Sequence, residues 1–99
     1  MIKVMLICGN GASSSFMATK LRIAIKEKNL PIDVSVCPET NLNNEIESFD
    51  FILIGPHLEF LAKELLEQYE IEGQVSVIPY DIYATMDGSR LLQEVIFAN

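Results

Sequence analysis

The sequence has no tryptophan, one histidine and two cysteines in 99 residues. One histidine and two cysteines are too few, and match no metal-ligand spacing, so no metal is expected; no cofactor is expected either. Two cysteines without an export signal point to a cytoplasmic chain that keeps its thiols, not to a disulfide between Cys8 and Cys37. No apolar run approaches the ~20 residues that a bilayer-spanning helix needs. The stretch 1–8 is apolar but carries Lys3 and stops at Gly9. It is too short for the apolar part of a secretory leader and no cleavage pattern follows, so it reads as a strand. Basic residues are scarce, seven against fourteen acids for a net charge of −7. That argues against a nucleic-acid binder, which needs a basic face to neutralise phosphates. No repeat, low-complexity segment or linker divides the chain, and a single domain over residues 1–99 is expected.

What is there is a globular composition, 49% hydrophobic and 21% charged, which can bury a core without disulfide or metal staples. The charge is uneven. Residues 1–28 hold Lys3, Lys20, Arg22, Lys26 and Lys28 against Glu27, whereas residues 29–99 hold Lys63 and Arg90 against thirteen acids. A solvated helix face accounts for most of the basic residues. The sharper reading is that the N-terminal part tolerates an anion or an acidic partner.

Four strands alternate with helical patterns. Residues 4–8, VMLIC, and 51–54, FILI, are apolar throughout, as strands covered on both faces are. Residues 32–36, IDVSV, alternate, and 75–78, VSVI, form the fourth strand before Pro79. Helical spacing runs from Ser14 to Lys28 with Met17, Leu21, Ala24 and Ile25 on one face, until Asn29-Leu30-Pro31 ends it. The polar stretch 38–50 has room for a short helix around 42–48. A second stripe, Leu58, Leu61, Ala62, Leu65, Leu66 and Tyr69, is closed by Gly73. Asp87 or Ser89 caps a last helix bearing Leu91, Leu92, Val95 and Ile96. The order β-α-β-(α)-β-α-β-α predicts a four-stranded parallel sheet with right-handed crossovers and helices on both faces. Placing the two wholly apolar strands centrally gives strand order 2-1-3-4, a flavodoxin-like three-layer sandwich. Its topological switch lies at the carboxyl ends of strands 1 and 3, where ligands of open α/β sheets bind.

The segment at that switch is CGNGASSSF, residues 8–16, with no Arg, Lys, His or carboxylate. Gly9 and Gly11 let backbone approach a ligand closely. A loop of Gly9, Asn10, Gly11 and Ala12 can aim successive N–H groups at one anion. The helix that follows adds further N–H groups and the positive end of its dipole. Ser13, Ser14 and Ser15 supply hydroxyl donors, one of them as a cap. The same field favours thiolate at Cys8, as at other helix N-termini. The chemistry that fits is covalent: thiolate attack on phosphorus to give a phosphocysteine. The plainer reading of Cys8 is a small buried hydrophobe closing a strand. His57, on the loop after strand 3, could touch the site or cap the helix after Pro56. Asp81, after strand 4, could protonate a leaving group or simply occupy a turn. Cys37, before Pro38, reads as an inert thiol. No Walker-type Gly-Lys-Ser/Thr follows the glycines.

Two families place a cysteine in this setting. Low-molecular-weight tyrosine phosphatases and related arsenate reductases have Cys-x5-Arg, the Arg clamping the transferring phosphoryl group. Ser14 stands at that position here, and each such donor contributes roughly 2.7–4 kcal/mol to the transition state. The chain more closely resembles the IIB component of the bacterial sugar phosphotransferase system, in its lactose/cellobiose branch, over essentially its whole length. VMLICGNGASSSFMATKL resembles that family's first strand, active cysteine, loop and first helix. FILIGPHLEFL resembles its third strand and Gly-Pro turn, with His57 where Gln is usual. VIPYDIYATMDGSRLL resembles its last strand and closing helix, Asp-Gly pair included. The CGNG opening is shared with ascorbate- and galactitol-type IIB components. The resemblance implies a relay. A phosphohistidine on a IIA protein gives its phosphoryl group to Cys8, which passes it to a sugar on the membrane-embedded IIC permease. The sugar implied is a cellobiose-type β-glucoside or a chito-oligosaccharide. The protein would then be cytoplasmic, reach the membrane through IIC, and itself insert nowhere.

Overall fold

A computed structural model describes residues 1–8 and 11–97, the side chains of Cys8 and of residues 11–14 excepted. Strands β1 (Ile2–Cys8), β2 (Ile32–Pro38), β3 (Phe51–Ile54) and β4 (Gln74–Val77) form one sheet in the order β2-β1-β3-β4. All three pairings are parallel, with Ile7 opposite both Cys37 and Ile54, and Cys8 opposite Pro38. This is the topology expected of two fully apolar strands flanked by two less apolar ones. The side chains of Ile52, Leu53 and Ile54 are wholly buried. Each contributes on the order of 1.5–3 kcal/mol on leaving water, which is what draws β3 to the middle.

Side chains alternate across the sheet and feed two cores. Val4, Leu6 and Leu53 pack with Met17, Leu21 and Ile25 of α1 (Gly11–Glu27), Ile82 of α3 (Tyr80–Thr85) and Leu91 of α4 (Gly88–Leu91). A π-helical turn, Leu92–Ile96, continues α4 and adds Leu92, Val95 and Ile96. On the opposite face Met5, Ile7, Ile52 and Ile54 pack with Leu61 and Leu65 of α2 (Leu61–Gln68). Ile46 joins them from the 3-10 turn Asn44–Ser48, and Leu58 from the 3-10 turn Pro56–Leu58. The expected helix around 42–48 is therefore two 3-10 turns, Glu39–Asn41 and Asn44–Ser48.

Four details differ from the sequence reading. The first helix starts at Gly11, so Ser13, Ser14 and Ser15 lie inside it and none of them is its cap. Leu66 is exposed and leaves the stripe of α2. Gly73 does not close α2, which ends at Gln68 with Tyr69 as its cap. A Cβ at Gly73 would collide with the carbonyl oxygens of Phe49 and Asp50, so glycine is there to let two segments of the chain touch. Finally, an unexpected helix, α3, occupies residues 80–85.

Chain reversals explain the helix ends. Asn29, at φ 54°, ends α1 in a Schellman motif: its N–H bonds the Lys26 carbonyl and that of Leu30 bonds the Ile25 carbonyl. Met86, at φ 52°, ends α3 the same way, the N–H of Asp87 bonding the Ile82 carbonyl at 3.1 Å. Asp87 then caps α4, its Oδ1 accepting from the Arg90 N–H at 3.1 Å. Of the two expected caps, Asp87 is the one used.

Candidate functional site

The connections from β1 and β3 leave the sheet to opposite faces, so a crevice opens between their carboxyl ends. Cys8 is the last residue of β1. Its neighbour on the β2 side is Pro38. On the β3 side the Gly55 N–H donates to the Ile7 carbonyl at 3.1 Å, so the ladder runs on into the loop Gly55-Pro56-His57. One strand further, the Ile78 N–H donates to the Ile54 carbonyl at 2.8 Å and leads into Pro79 and Tyr80. Backbone continuity alone thus gathers Cys8, His57 and the start of α3 at one end of the sheet.

Gly9 and Asn10 lie outside the described residues, as do the side chains of Cys8, Gly11, Ala12, Ser13 and Ser14. Beside them stands the N-terminus of the 17-residue α1, with no acidic residue in its first turn. A helix of that length carries about half a positive charge at this end, plus free N–H groups. Ser15 is exposed, and its carbonyl accepts from Thr19 Oγ1 at 2.9 Å.

His57 is exposed in the 3-10 turn Pro56–Leu58, and the N-cap of α2 is Phe60 with no side-chain cap. It does not cap the helix after Pro56. Its ring leans on Tyr83, centroids 5.8 Å apart and planes at 53°, an offset arrangement favoured by ring quadrupoles. Gly55 makes room for it: a Cβ there would sit 2.8 Å from His57 Cε1. Pro56, His57, Tyr80, Tyr83 and Ala84 line a hollow of ≈ 470 Å³. A second hollow, ≈ 380 Å³, lies along the later half of α1 between Lys20, Lys28 and the turn Thr85–Ser89, away from the strand ends.

Asp81 has a partner that sequence reasoning missed. Its Oδ2 lies 2.9 Å from Arg90, whose guanidinium also bonds Glu94 at 2.6 Å and 3.2 Å. The hydrogen bond from Arg90 holds the Asp81 carboxyl below its ordinary range. The Arg90 guanidinium is correspondingly pushed up by Glu94 and Asp81. A carboxyl kept ionised in this way is a poor proton donor, and the ion pair accounts for Asp81 without a role as an acid. Cys37 is a thiol, half-buried in β2, with Sγ 3.4 Å from the Pro38 carbonyl.

Comparison with known proteins agrees with this geometry. A family model described as "PTS system, Lactose/Cellobiose specific IIB subunit" matches residues 3–94. The chain belongs to the lactose/cellobiose-specific IIB family of the sugar phosphotransferase system. It is 28% identical over 99 residues to the oligo-beta-mannoside-specific EIIB component of Bacillus subtilis, covering 97% of this chain and 94% of that one. It is 25% identical over 95 residues to the galactose-specific EIIB component of Lactococcus lactis, covering 90% and 88%. Among solved structures, the cellobiose-specific IIB protein of Borrelia burgdorferi superposes with a TM-score of 0.75 at 26% identity, over 98% of this chain and 90% of that one. The lactose-specific IIB domain of Streptococcus pneumoniae shares the fold at TM-score 0.80 and 17% identity, over 97% and 95%. The IIB family thus has the flavodoxin-like sheet deduced above. Among the described residues no helix is long and apolar enough to cross a membrane.

Proposed function

We propose that Cys8 of this IIB protein is a phosphoryl relay. Its thiolate attacks the phosphorus of a phosphohistidine on a IIA protein. The P–N bond breaks, and the imidazole nitrogen keeps the electron pair. A sugar hydroxyl then attacks the same phosphorus, the S–P bond breaks, the thiolate returns and the hydroxyl proton passes to solvent. The acceptor is a sugar presented by the IIC permease, of the cellobiose-type β-glucoside or chito-oligosaccharide class. The protein works in the cytoplasm, at the membrane through IIC.

The observation that carries this reading is the position of Cys8. It ends a central strand at the topological switch, three residues before a long helix that starts without acidic side chains. N–H groups of the loop and of the first turn of α1, residues 9–13, and the serine hydroxyls would hold the phosphoryl group. The low-molecular-weight phosphatase reading is disfavoured by Ser14, which stands where those enzymes clamp phosphate with Arg. A relay gains from that lack, because a thiophosphate must not be committed to water. The test is intact mass after incubation with the general phosphotransferase proteins, a cognate IIA and phosphoenolpyruvate. One phosphoryl group is expected on the parent and none on Cys8→Ser. Label that persists in Cys8→Ser refutes the assignment, as does a parent that never gains it. Steady Cys8-dependent phosphate release from an aryl phosphate would instead support the phosphatase.

A further inference from the structure

Helix α1 turns apolar side chains to solvent as well as to the core. Met17, Leu21 and Ile25 form its buried side. On its outer side Phe16 is 66% and Ile23 47% exposed. Being seven residues apart, these two stand in line across two turns. Lys20 lies on the same stripe, four residues after Phe16 and three before Ile23. We infer that this outer face is an adsorption surface for a membrane rich in anionic lipids. Phe16 and Ile23 enter the headgroup layer, and the basic side chains around them meet the lipid phosphates.

The surroundings of the stripe are basic. Lys20 and Lys28 flank it towards the turn Thr85–Ser89, where they line the hollow of ≈ 380 Å³. Arg22 and Lys26 flank it towards β2, where Arg22 donates to the Val34 carbonyl at 2.7 Å. Among the described residues Lys20, Lys26 and Lys28 form no ion pair, so their charge is available to a ligand. Most acids of this layer are engaged. Asp81 and Glu94 are matched by Arg90, and Asp87 caps α4. Glu27 remains on α1 beside the lysines. Much of the net charge of −7 lies beyond the sheet, with Glu64 and Glu67 on α2, Glu59 before it, and Glu45 and Glu47 in the turn Asn44–Ser48. The molecule measures 22 Å along its shortest axis, more than twice the ~8 Å over which physiological salt screens a charge. An anionic surface resting on α1 therefore feels the nearby lysines far more than the distant acids.

Shape and chemistry together select lipid. The face is the convex ridge of one helix, so it fits a surface that yields around it. A nucleic acid, or an acidic protein without an apolar recess, would meet the lysines and leave Phe16 and Ile23 in water. A headgroup layer takes both, as it does for other interfacial helices that carry aromatic and aliphatic side chains beside Lys and Arg. The cytoplasmic leaflet has the required negative potential. The cytoplasmic loops of a permease carry an excess of Lys and Arg, and would repel this face. The relay reading bears on this inference only by bringing the protein to a membrane.

Sedimentation of the whole protein with large vesicles tests the inference, with no phosphoryl donor, IIA or IIC present. At ~0.1 M salt, vesicles of phosphatidylcholine with about one third phosphatidylglycerol should carry the protein down. Pure phosphatidylcholine vesicles should not. Salt at ~1 M, which shortens the screening length to ~3 Å, should release it. Each lysine neutralised should weaken partitioning roughly fivefold, so Lys26→Gln combined with Lys28→Gln should weaken it about twenty-five-fold. Phe16→Ala should weaken it by roughly threefold or more. Lys63→Gln, on the opposite layer, should bind like the parent. All four side chains are exposed, so circular dichroism of the variants should show an unchanged fold. The inference is overturned if no vesicle binds the protein, if pure phosphatidylcholine binds it as well, or if the double lysine variant binds like the parent. If Phe16→Ala partitions like the parent, or soluble polyglutamate holds the protein as tightly as the vesicles do, the face is one for an acidic protein and the lipid inference is likewise overturned. The relay fails separately: a protein that binds these vesicles but never charges at Cys8 keeps the adsorption surface and loses the relay.

Discussion

Replacing Gly88 by alanine tests how the helices behind the site are held. A Cβ at Gly88 would lie 2.3 Å from both the carbonyl carbon and the oxygen of Lys20, and 2.6 Å from the Leu21 nitrogen. These are backbone atoms in the middle of α1 and cannot swing aside. Non-bonded carbons rest about 3.5–4.0 Å apart, so α4 must retreat by more than ~1 Å. That retreat lifts Leu91 and Leu92, both wholly buried, from the face they share with Leu21 and Met17. Overpacking costs ~1–3 kcal/mol, and a gap of ~1 Å forfeits a quarter to a half of the dispersion of the atoms lining it. Together they should cost about 3 kcal/mol. For a domain of this size each kcal/mol lowers Tm by ~4–8 °C, so a fall of roughly 12–24 °C is expected in thermal unfolding followed by circular dichroism. The neighbouring exposed Ser89→Ala should change stability by less than ~0.5 kcal/mol. A Gly88→Ala protein melting within about 4 °C of the parent would refute the close-packing argument.

The helix cap and the ion pairs give two further predictions. Asp87→Ala should lose ~1 kcal/mol by urea unfolding, because the Arg90 N–H loses its acceptor. Asp87→Asn should recover most of it, and a loss shared equally by both variants would make charge, not the cap, responsible. Arg90 lowers the carboxyl pKa of Asp81 and of Glu94, in each case chiefly through a hydrogen bond. A lowered carboxyl contributes stability that is full above its unfolded pKa of ~4 and lost as pH falls through the folded value. The Tm gap between the parent and Arg90→Gln should therefore narrow from pH 7 towards pH 3, and also at ~1 M salt because all three side chains meet solvent. A gap independent of pH and salt would show that Arg90 acts through packing.

The sheet was legible because its signals are collective. VMLIC and FILI are apolar on both sides, and only central parallel strands need that. Cys8 at the switch follows from the strand order, as does the placing of the His57 turn at the same end of the sheet. What was not legible depends on contacts between distant segments. Gly73 reads as a helix stop, yet it lets residue 73 lie on the carbonyls of Phe49 and Asp50. Asp81 reads as a spare acid until α3 and α4 fold back and bring Arg90 to it. Leu66 keeps helical spacing but lies just off the buried side of an eight-residue helix.

The least legible element is also the one that shapes the crevice. Only six residues long, α3 sits between Pro79 and a left-handed Met86, too short to be stable from propensity alone. Its sole local signal was Ile82, Tyr83 and Met86 at helical spacing. The helix exists because Ile82 is wholly buried, because the Asp87 N–H bonds the Ile82 carbonyl at its end, and because Arg90 of α4 pairs with Asp81 at its start. The core behind thus fixes where α3 stands: Tyr83 packs on it and against His57, while Tyr80 faces water. The strands can therefore hold Cys8 in one place while α3 changes the wall beside it. Substitutions at the exposed Tyr80 and His57 should accordingly leave the fold intact, whereas substitutions at Ile82, Asp87 and Gly88 should cost stability.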